Sequence, residues 1–217
     1  MKRLTVVLFA MVLLFALSSM ASAQGLTGYG LKAGLNMANL GGDDAEYTDV
    51  DKKMRMGFTV GGFVTYSINE MFAIQPELLY TQKGAKYEDA DDDFKETDKY
   101  EYLEIPVLAK VTIPTQGNIS PNIFVGPSLG ILMSAKWDWE WGDDSGSEDV
   151  KDDTKSTDFG LVFGAGVDIG MPHSAITIDG RYTMGLTTIC EPYEMDGEEE
   201  ECDVKNGVIS FTVGYSF

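Results

Sequence analysis

The sequence is poor in the residue types that metal sites and catalytic centres use most. Its 217 residues include one histidine, His173, and two cysteines, Cys190 and Cys202. Two cysteines alone cannot complete a metal site, and no histidine lies near them in the sequence. Basic residues are also scarce, 16 against 35 acidic residues, which gives a net charge of −19. This charge excludes nucleic-acid binding through phosphate contacts, because those contacts need lysine and arginine.

Long apolar runs are absent beyond the N-terminus, where residues 4–17 carry no charge. This run follows Lys2 and Arg3 and precedes Ala21-Ser22-Ala23, which is the pattern of a cleaved signal peptide. It is too short to cross a bilayer of about 30 Å as a helix. We therefore predict a signal peptide over residues 1–23.

The remaining chain, residues 24–217, is long enough for one domain. It contains no stretch of about 18 apolar residues, so it is either a soluble secreted protein or a β-barrel. An exported protein meets an oxidising compartment, and we therefore predict a disulfide between Cys190 and Cys202.

Strict alternation of apolar and small or polar residues predicts β-strands. It is clearest in residues 209–217, where Ile, Phe, Val, Tyr and Phe alternate with Ser, Thr, Gly and Ser. The same reading along the chain gives eight strands, predicted at residues 29–39, 55–68, 72–84, 99–113, 121–136, 157–171, 175–187 and 207–217.

The connections between these strands are alternately long and short. The long ones hold 28 of the 35 acidic residues and cover residues 40–54, 85–98, 137–156 and 188–206. The short ones cover residues 69–71, 114–120 and 172–174. This asymmetry is typical of outer-membrane barrels. We predict an all-β fold, an eight-stranded antiparallel up-and-down transmembrane β-barrel with short periplasmic turns and long acidic extracellular loops.

Charged residues within the strands lie on the same face as the glycines. A soluble barrel or sandwich would place its charges in water, whereas the narrow interior of an eight-stranded barrel favours small residues and balanced charges. The glycine-rich face is therefore predicted to line the lumen. We expect an ion-pair network there, with Arg181 bound to Glu104, Asp168 or Glu77; a lined ion pathway is the alternative. The predicted network consists of Lys32, Glu77, Lys83, Glu104, Lys110, Asp168, Asp179 and Arg181.

Aromatic residues concentrate at both predicted membrane edges, which is typical of aromatic girdles. Trp137, Trp139 and Trp141 alternate in phase with the outward positions Ile131 and Met133. For the tryptophans, a cap over the barrel mouth and a partner-binding strip are alternatives. The girdle at the short-turn end is predicted to contain Tyr29, Tyr66, Phe72, Tyr215 and Phe217.

The chain resembles the porin-family (PorT-like) outer-membrane β-barrels of Bacteroidota-type bacteria and, more widely, the eight-stranded OmpA and OmpX type. Residues 75–84 (QPELLYTQKG), 102–110 (YLEIPVLAK) and 181–186 (RYTMGL) carry the likeness, together with GAGV at 164–167 and the terminal Tyr-Ser-Phe. The resemblance implies a Gram-negative outer membrane and assembly by the barrel-assembly machinery, with Phe217 as the insertion signal. It also implies contact with outer-membrane lipid and lipopolysaccharide and a monomeric state.

These observations favour an integral outer-membrane protein with a structural or surface-interaction role, a filled lumen, no cofactor and no enzymatic activity. His173 lies in a predicted periplasmic turn, far from the outer leaflet, so it cannot serve an outward-facing catalytic site. The alternatives are a narrow porin-like channel, a lipid-modifying enzyme and a soluble lipid-binding barrel. The acidic loops are expected to meet an extracellular or cell-envelope partner. The candidates for nonspecific cation binding in these loops are Asp89, Asp91, Asp92 and Asp93.

Overall fold

A computed structural model describes residues 25–45, 51–89, 94–195, 198–200 and 202–217. The predicted signal peptide over residues 1–23 lies outside the described residues, as do Asp91, Asp92 and Asp93. In the described part of the chain, no helix is both long enough and apolar enough to span a membrane.

Eight antiparallel strands form a closed ring, as the alternating pattern predicts. Around the ring the order is β1, β2, β3, β5, β6, β8, β9 and β12, and β12 returns to pair with β1. Four short strands extend the sheet or form a separate hairpin near the long connections. The strands are β1 (Leu26–Gly41), β2 (Asp51–Ser67), β3 (Phe72–Lys83), β4 (Ala85–Asp89), β5 (Phe94–Thr112), β6 (Ile119–Trp141), β7 (Asp144–Asp149), β8 (Thr157–Met171), β9 (Ser174–Gly185), β10 (Tyr193–Met195), β11 (Glu198–Glu200) and β12 (Lys205–Ser216).

The outer face of the ring is apolar and the inner face is polar. On β12, Phe211 is 59% exposed and Val213 is 57% exposed, while the alternating Ser210 and Thr212 are 5% and 2% exposed. In water this exposure of large apolar side chains would be costly, whereas in a bilayer the lipid chains cover them. The predicted orientation of the terminal strand, with its apolar side toward lipid, is confirmed.

The ring closes where β1 meets β12. Leu31 lies opposite Tyr215, and the Phe217 amide donates a hydrogen bond to the Tyr29 carbonyl at 2.9 Å. The rings of Tyr29 and Phe217 stack with their centroids 5.7 Å apart. Backbone pairing and aromatic packing thus join the first and last strands at the short-turn end of the barrel.

Several strands extend further at the extracellular end than the alternation predicts. Within the predicted loop 85–98, β4 pairs with the first residues of β5. Within the predicted loop 137–156, the end of β6 pairs with β7. Above the membrane neither face of a hairpin must meet lipid, so the apolar alternation ends although the backbone ladder continues. For this reason the predicted boundaries of β2, β5 and β6 fall short of the observed ones at this end, whereas β9 ends at Gly185, before its predicted boundary at residue 187.

Candidate functional site

The middle of the lumen holds four charged side chains from β1, β3 and β9. Lys32 Nζ donates to Glu77 at 2.8 Å and to Asp179 at 2.7 Å. Arg181 binds Glu77 at 2.7 Å and Asp179 at 3.2 Å. All four side chains are buried, and each charged group is paired with two groups of the opposite charge. Buried charges are tolerated when they are paired in this way. We call this group the middle layer.

Two aromatic rings pack against the bases of the middle layer. The Lys32 ammonium lies 5.3 Å from the centroid of Phe63, and the Arg181 guanidinium lies 5.3 Å from that of Phe124. These distances suit cation–π attraction. Glycines make room for the rings: a Cβ at Gly164 would lie 2.7 Å from the Phe124 ring. The glycine-rich lumen face therefore admits aromatic rings beside the charges.

An upper layer lies nearer the extracellular end. Lys83 Nζ binds Asp158 at 3.1 Å and Glu104 at 3.4 Å, and it lies 5.0 Å from the centroid of Tyr102. Glu104 also accepts a hydrogen bond from Ser128 at 2.6 Å. Glu104 is thus occupied by Lys83, and the prediction that it could pair with Arg181 is wrong.

A lower layer lies near the periplasmic end, where Lys110 binds Asp168 at 2.8 Å. Thr177 and Asn122 donate to the same carboxylate at 2.8 Å and 3.1 Å. The prediction of an Arg181–Asp168 pair is therefore wrong as well, because Asp168 belongs to a different level of the barrel. Of the three predicted partners of Arg181, the structure brings Glu77 to it.

All eight predicted network residues lie in the lumen, and two further charged residues join them. Asp158 lies ten residues before Asp168 on β8, and because this separation is even, the two side chains share the inner face. The even separation is the feature of the sequence that could have predicted Asp158 as a lumen residue. Arg55 is buried on the inner face of β2, in phase with Thr59, and donates to the Lys83 carbonyl. With these two residues the described part of the lumen contains five bases and five acids, so their charges balance.

Little space remains between the middle and upper layers. The gap there has a volume of about 10 Å³, which is room for about one water molecule. Glu104 and Arg181 border it from the two sides, together with Leu79 and Val162. The side chains of the layers therefore occupy the barrel axis at this level.

A larger cavity of about 240 Å³ opens above the upper layer. We call it the mouth cavity. Part of its wall is a buried apolar cluster that includes Leu40, Tyr87 and Ile189. The described residues that line it are Leu40, Asp44, Ala45, Tyr87, Glu96, Asp98, Tyr100, Trp137, Val150, Asp153, Thr154, Ile189, Cys190 and Val204.

Trp137 lines the mouth cavity and does not face lipid with Ile131 and Met133. The pairing of β5 with β6 shifts between Glu101 and Tyr102, so that Met133 is an extra residue on β6. Such a β-bulge reverses the faces of all residues that follow it. The predicted girdle position of Trp137 is therefore wrong, and its position agrees with the alternative of a cap over the mouth.

Trp139 and Trp141 follow the same reversed phase. They lie opposite Glu96 and Phe94 on β5, and the Trp141 ring meets Phe94 edge-on at 6.5 Å. Both tryptophans belong to the extracellular hairpins, and Trp141 is 64% exposed. Their predicted phase with the lipid-facing residues is therefore wrong too.

The other predicted girdle residues lie at the short-turn end. The side chains of Tyr29, Phe72, Tyr215 and Phe217 are exposed on the outer face, and Tyr66 is partly buried. His173 is exposed in the short turn between β8 and β9. Tyr29, Phe72, Tyr215 and Phe217 therefore lie on the outer face at this end, and their role as an aromatic girdle stays a prediction.

The wall of the mouth cavity is cross-linked by the predicted disulfide. Cys190 and Cys202 are bonded, with their Cα atoms 6.0 Å apart. Thr154 forms an isolated bridge with Cys190, which ties the segment after β7 to the segment after β9. Asp89 ends β4, and in the described part of the chain no group of histidine, cysteine and acidic residues could hold a metal ion.

Two acids of β5 lie in the mouth cavity, above the part of the strand that faces lipid. Burial, and secondarily the charge of Glu96, raises the pKa of Asp98 to about 7, although Arg55 acts in the opposite direction. Burial also raises the pKa of Glu96, against a hydrogen bond from Trp137. Neither shift is cancelled by a nearby base, so the cavity holds incompletely compensated negative charge.

We expect the barrel to lose stability as the pH rises from about 4 to about 7, because folded Asp98 binds its proton more tightly than the unfolded chain does. Above the folded pKa both states are ionised and the effect is constant. Asp98→Asn should therefore raise the free energy of unfolding more at about pH 8 than at about pH 5. Urea unfolding at the two pH values measures the change in the free energy of unfolding. An equal change at both pH values would contradict the raised pKa of Asp98. Asp144→Asn on the exposed rim is the control.

A closed ring of eight antiparallel strands, apolar outside and ion-paired inside, defines an integral membrane β-barrel. The chain belongs to the family described as outer membrane protein beta-barrel domain, which matches residues 21–191. This membership places the protein in the outer membrane of a Gram-negative bacterium, with lipid around its apolar face.

Several solved structures are similar to this chain. The attachment invasion locus protein Ail of Yersinia pestis is 18% identical, with 88% of this chain and 98% of that chain covered and a TM-score of 0.43. Neisserial surface protein A is also 18% identical, with coverage of 89% and 100% and a TM-score of 0.45. OprG of Pseudomonas aeruginosa is 13% identical, with coverage of 90% and 98% and a TM-score of 0.49. No curated protein matches the chain.

Proposed function

We propose that this protein is a closed, non-enzymatic barrel that anchors an interaction surface at the cell exterior. The observation that carries the proposal is the lumen, in which three ion-paired layers occupy the barrel axis. A buried charge is tolerated only when it is paired, and here every lumen acid accepts from a base. The layers act as a permanent plug that fixes the ring of strands.

The same pairing supports a non-enzymatic role. A general base needs an available lone pair beside its substrate. Glu77, Glu104, Asp158, Asp168 and Asp179 are all engaged by lysine or arginine. The histidine lies in a periplasmic turn, at the end opposite the mouth cavity.

The closed lumen is tested by single-channel recording in planar bilayers. We expect no stepwise conductance from the purified, refolded chain, because the gap between the layers holds about one water molecule. A general porin recorded in the same bilayer is the positive control. Reproducible current steps from the wild-type chain would show the narrow channel that is the alternative function.

We further propose that Phe217 serves as the insertion signal read by the barrel-assembly machinery. We also propose that lipopolysaccharide surrounds the half of the barrel that lies in the outer leaflet, and that the barrel is a monomer. The position of Phe217 supports the first point, because its amide and its ring both contact Tyr29 at the closing seam. Phe217→Ala should slow assembly in proteoliposomes that contain the machinery. Unchanged assembly kinetics would contradict the role as a signal.

A further inference from the structure

The walls of the mouth cavity are formed before any ligand arrives. Leu40, Tyr87 and Ile189 are each at most 3% exposed. The Ile189 amide donates to the Val204 carbonyl at 2.8 Å, and the Ile189 carbonyl accepts from the Lys155 amide at 2.6 Å. Together with the neighbouring disulfide, these hydrogen bonds fix an apolar wall at the extracellular end of the barrel. A preformed apolar wall of this kind is typical of small-molecule sites.

The charge in the cavity is negative. Among the residues that the structure describes, the lining contains four carboxylates and no basic side chain, and Asp98 and Glu96 project from the same face of β5. The salt bridges of the described residues engage neither of these two acids. The charge of Arg55 lowers the pKa of Asp98 but does not offset the effect of burial, and the Arg55 guanidinium donates to the Lys83 carbonyl.

Aromatic rings border the same space. Trp137, Tyr100 and Tyr87 line the cavity, and Trp137 forms a hydrogen bond with Glu96. That bond fixes the indole beside the carboxylates. Carboxylates with aromatic faces attract an ammonium group by charge pairing and by cation–π contact together. An apolar wall opposite them suits a hydrocarbon group.

We propose that the mouth cavity binds a small organic ammonium ion, with its ammonium group beside Asp98 and Glu96 and its hydrocarbon part against Tyr87, Ile189 and Val204. A volume of about 240 Å³ accommodates one aromatic ring or a short alkyl chain, and lies just below the usual range for larger ligands. This inference deepens the proposed surface-interaction role and rests on the lumen beneath the cavity being closed.

The test is calorimetric titration of the full, disulfide-bonded chain with phenethylammonium chloride. A non-ionic detergent is needed, since a choline headgroup would compete for the site. At about pH 8 Asp98 is ionised, and we expect saturable binding with one ligand per chain. The neutral analogue phenethyl alcohol should bind at least about tenfold more weakly, because it lacks the charge.

Two substitutions locate the site. Asp98→Asn should weaken phenethylammonium binding about tenfold and leave phenethyl alcohol binding unchanged. Asp144→Asn removes the same charge from the exposed rim and should have no effect. Retention of the disulfide and of heat-modifiable gel migration shows that each variant is folded.

Three results would overturn the inference. These are absence of saturable binding, equal affinity for the ammonium and the alcohol, and an equal loss from both substitutions. The last would show a diffuse attraction by the acidic rim. The titration involves no membrane current, so its failure is distinct from failure of the closed-lumen proposal, which bilayer recording tests without any ligand.

Discussion

Replacing Glu77 with alanine is expected to lower the free energy of unfolding by about 3–5 kcal/mol. Glu77 accepts from Lys32, from Arg181 and from Gln75, and its side chain is completely buried. Without it, two buried cations share the single carboxylate of Asp179. One cation then remains uncompensated in a buried site, and this cost is the source of the loss.

The measurement is urea unfolding of the refolded barrel in lipid vesicles, followed by tryptophan fluorescence and by gel migration. Glu88→Gln is the matched control, since it removes one acid from the exposed Lys53–Glu88 pair. Exposed pairs contribute little, so this control should leave the unfolding curve unchanged. A Glu77 variant that unfolds like the wild type would contradict a structural role for the middle layer.

The substitution Gly30→Ala, which adds a single methyl group, is expected to lower the free energy of unfolding by about 2–3 kcal/mol. A Cβ at this position would meet the Tyr215 backbone carbonyl and would lie 2.8 Å from the Phe63 ring. The carbonyl belongs to the closing seam and cannot move without breaking the pairing of β1 with β12. The ring packs over Lys32, so its displacement also disturbs the middle layer.

The same strand provides the control for Gly30→Ala. Gly41 also lies in β1, and a Cβ there would have no neighbour within 4 Å. Gly41→Ala should leave the stability unchanged or raise it slightly, through the reduced freedom of the unfolded chain. Vesicle unfolding of both variants measures the difference. Equal effects at the two positions would show that backbone entropy, and not space in the lumen, determines the result.

The ring of strands could be predicted because lipid imposes a strict pattern on it. Every second residue of a membrane-spanning strand must be apolar, so alternation marks the strand and also its outer face. The lumen followed from the same pattern: glycine and balanced charge on one face predicted that Lys32, Glu77 and Arg181 would be buried together. Asp158 was missed although it has the correct phase.

The pairing within the lumen and the shape of the rim could not be predicted in the same way. Which acid meets Arg181 depends on the stagger between strands, which places Glu77 at its level and Asp168 lower. Alternation within one strand contains no information about stagger. Likewise, the bulge at Met133 leaves no mark in the sequence, and so the tryptophans were assigned to the wrong face.

The bulge at Met133 divides the barrel into two parts that can be engineered separately. Below it, every residue of β6 must keep the phase that lipid requires. Above the bulge the alternation of side chains restarts, so a grafted hairpin can have an odd or an even number of residues. In either case the lipid-facing side chains of the membrane-spanning part keep their orientation. A replacement hairpin that keeps Met133 as the unpaired residue would present new side chains at the mouth on an unchanged transmembrane cylinder.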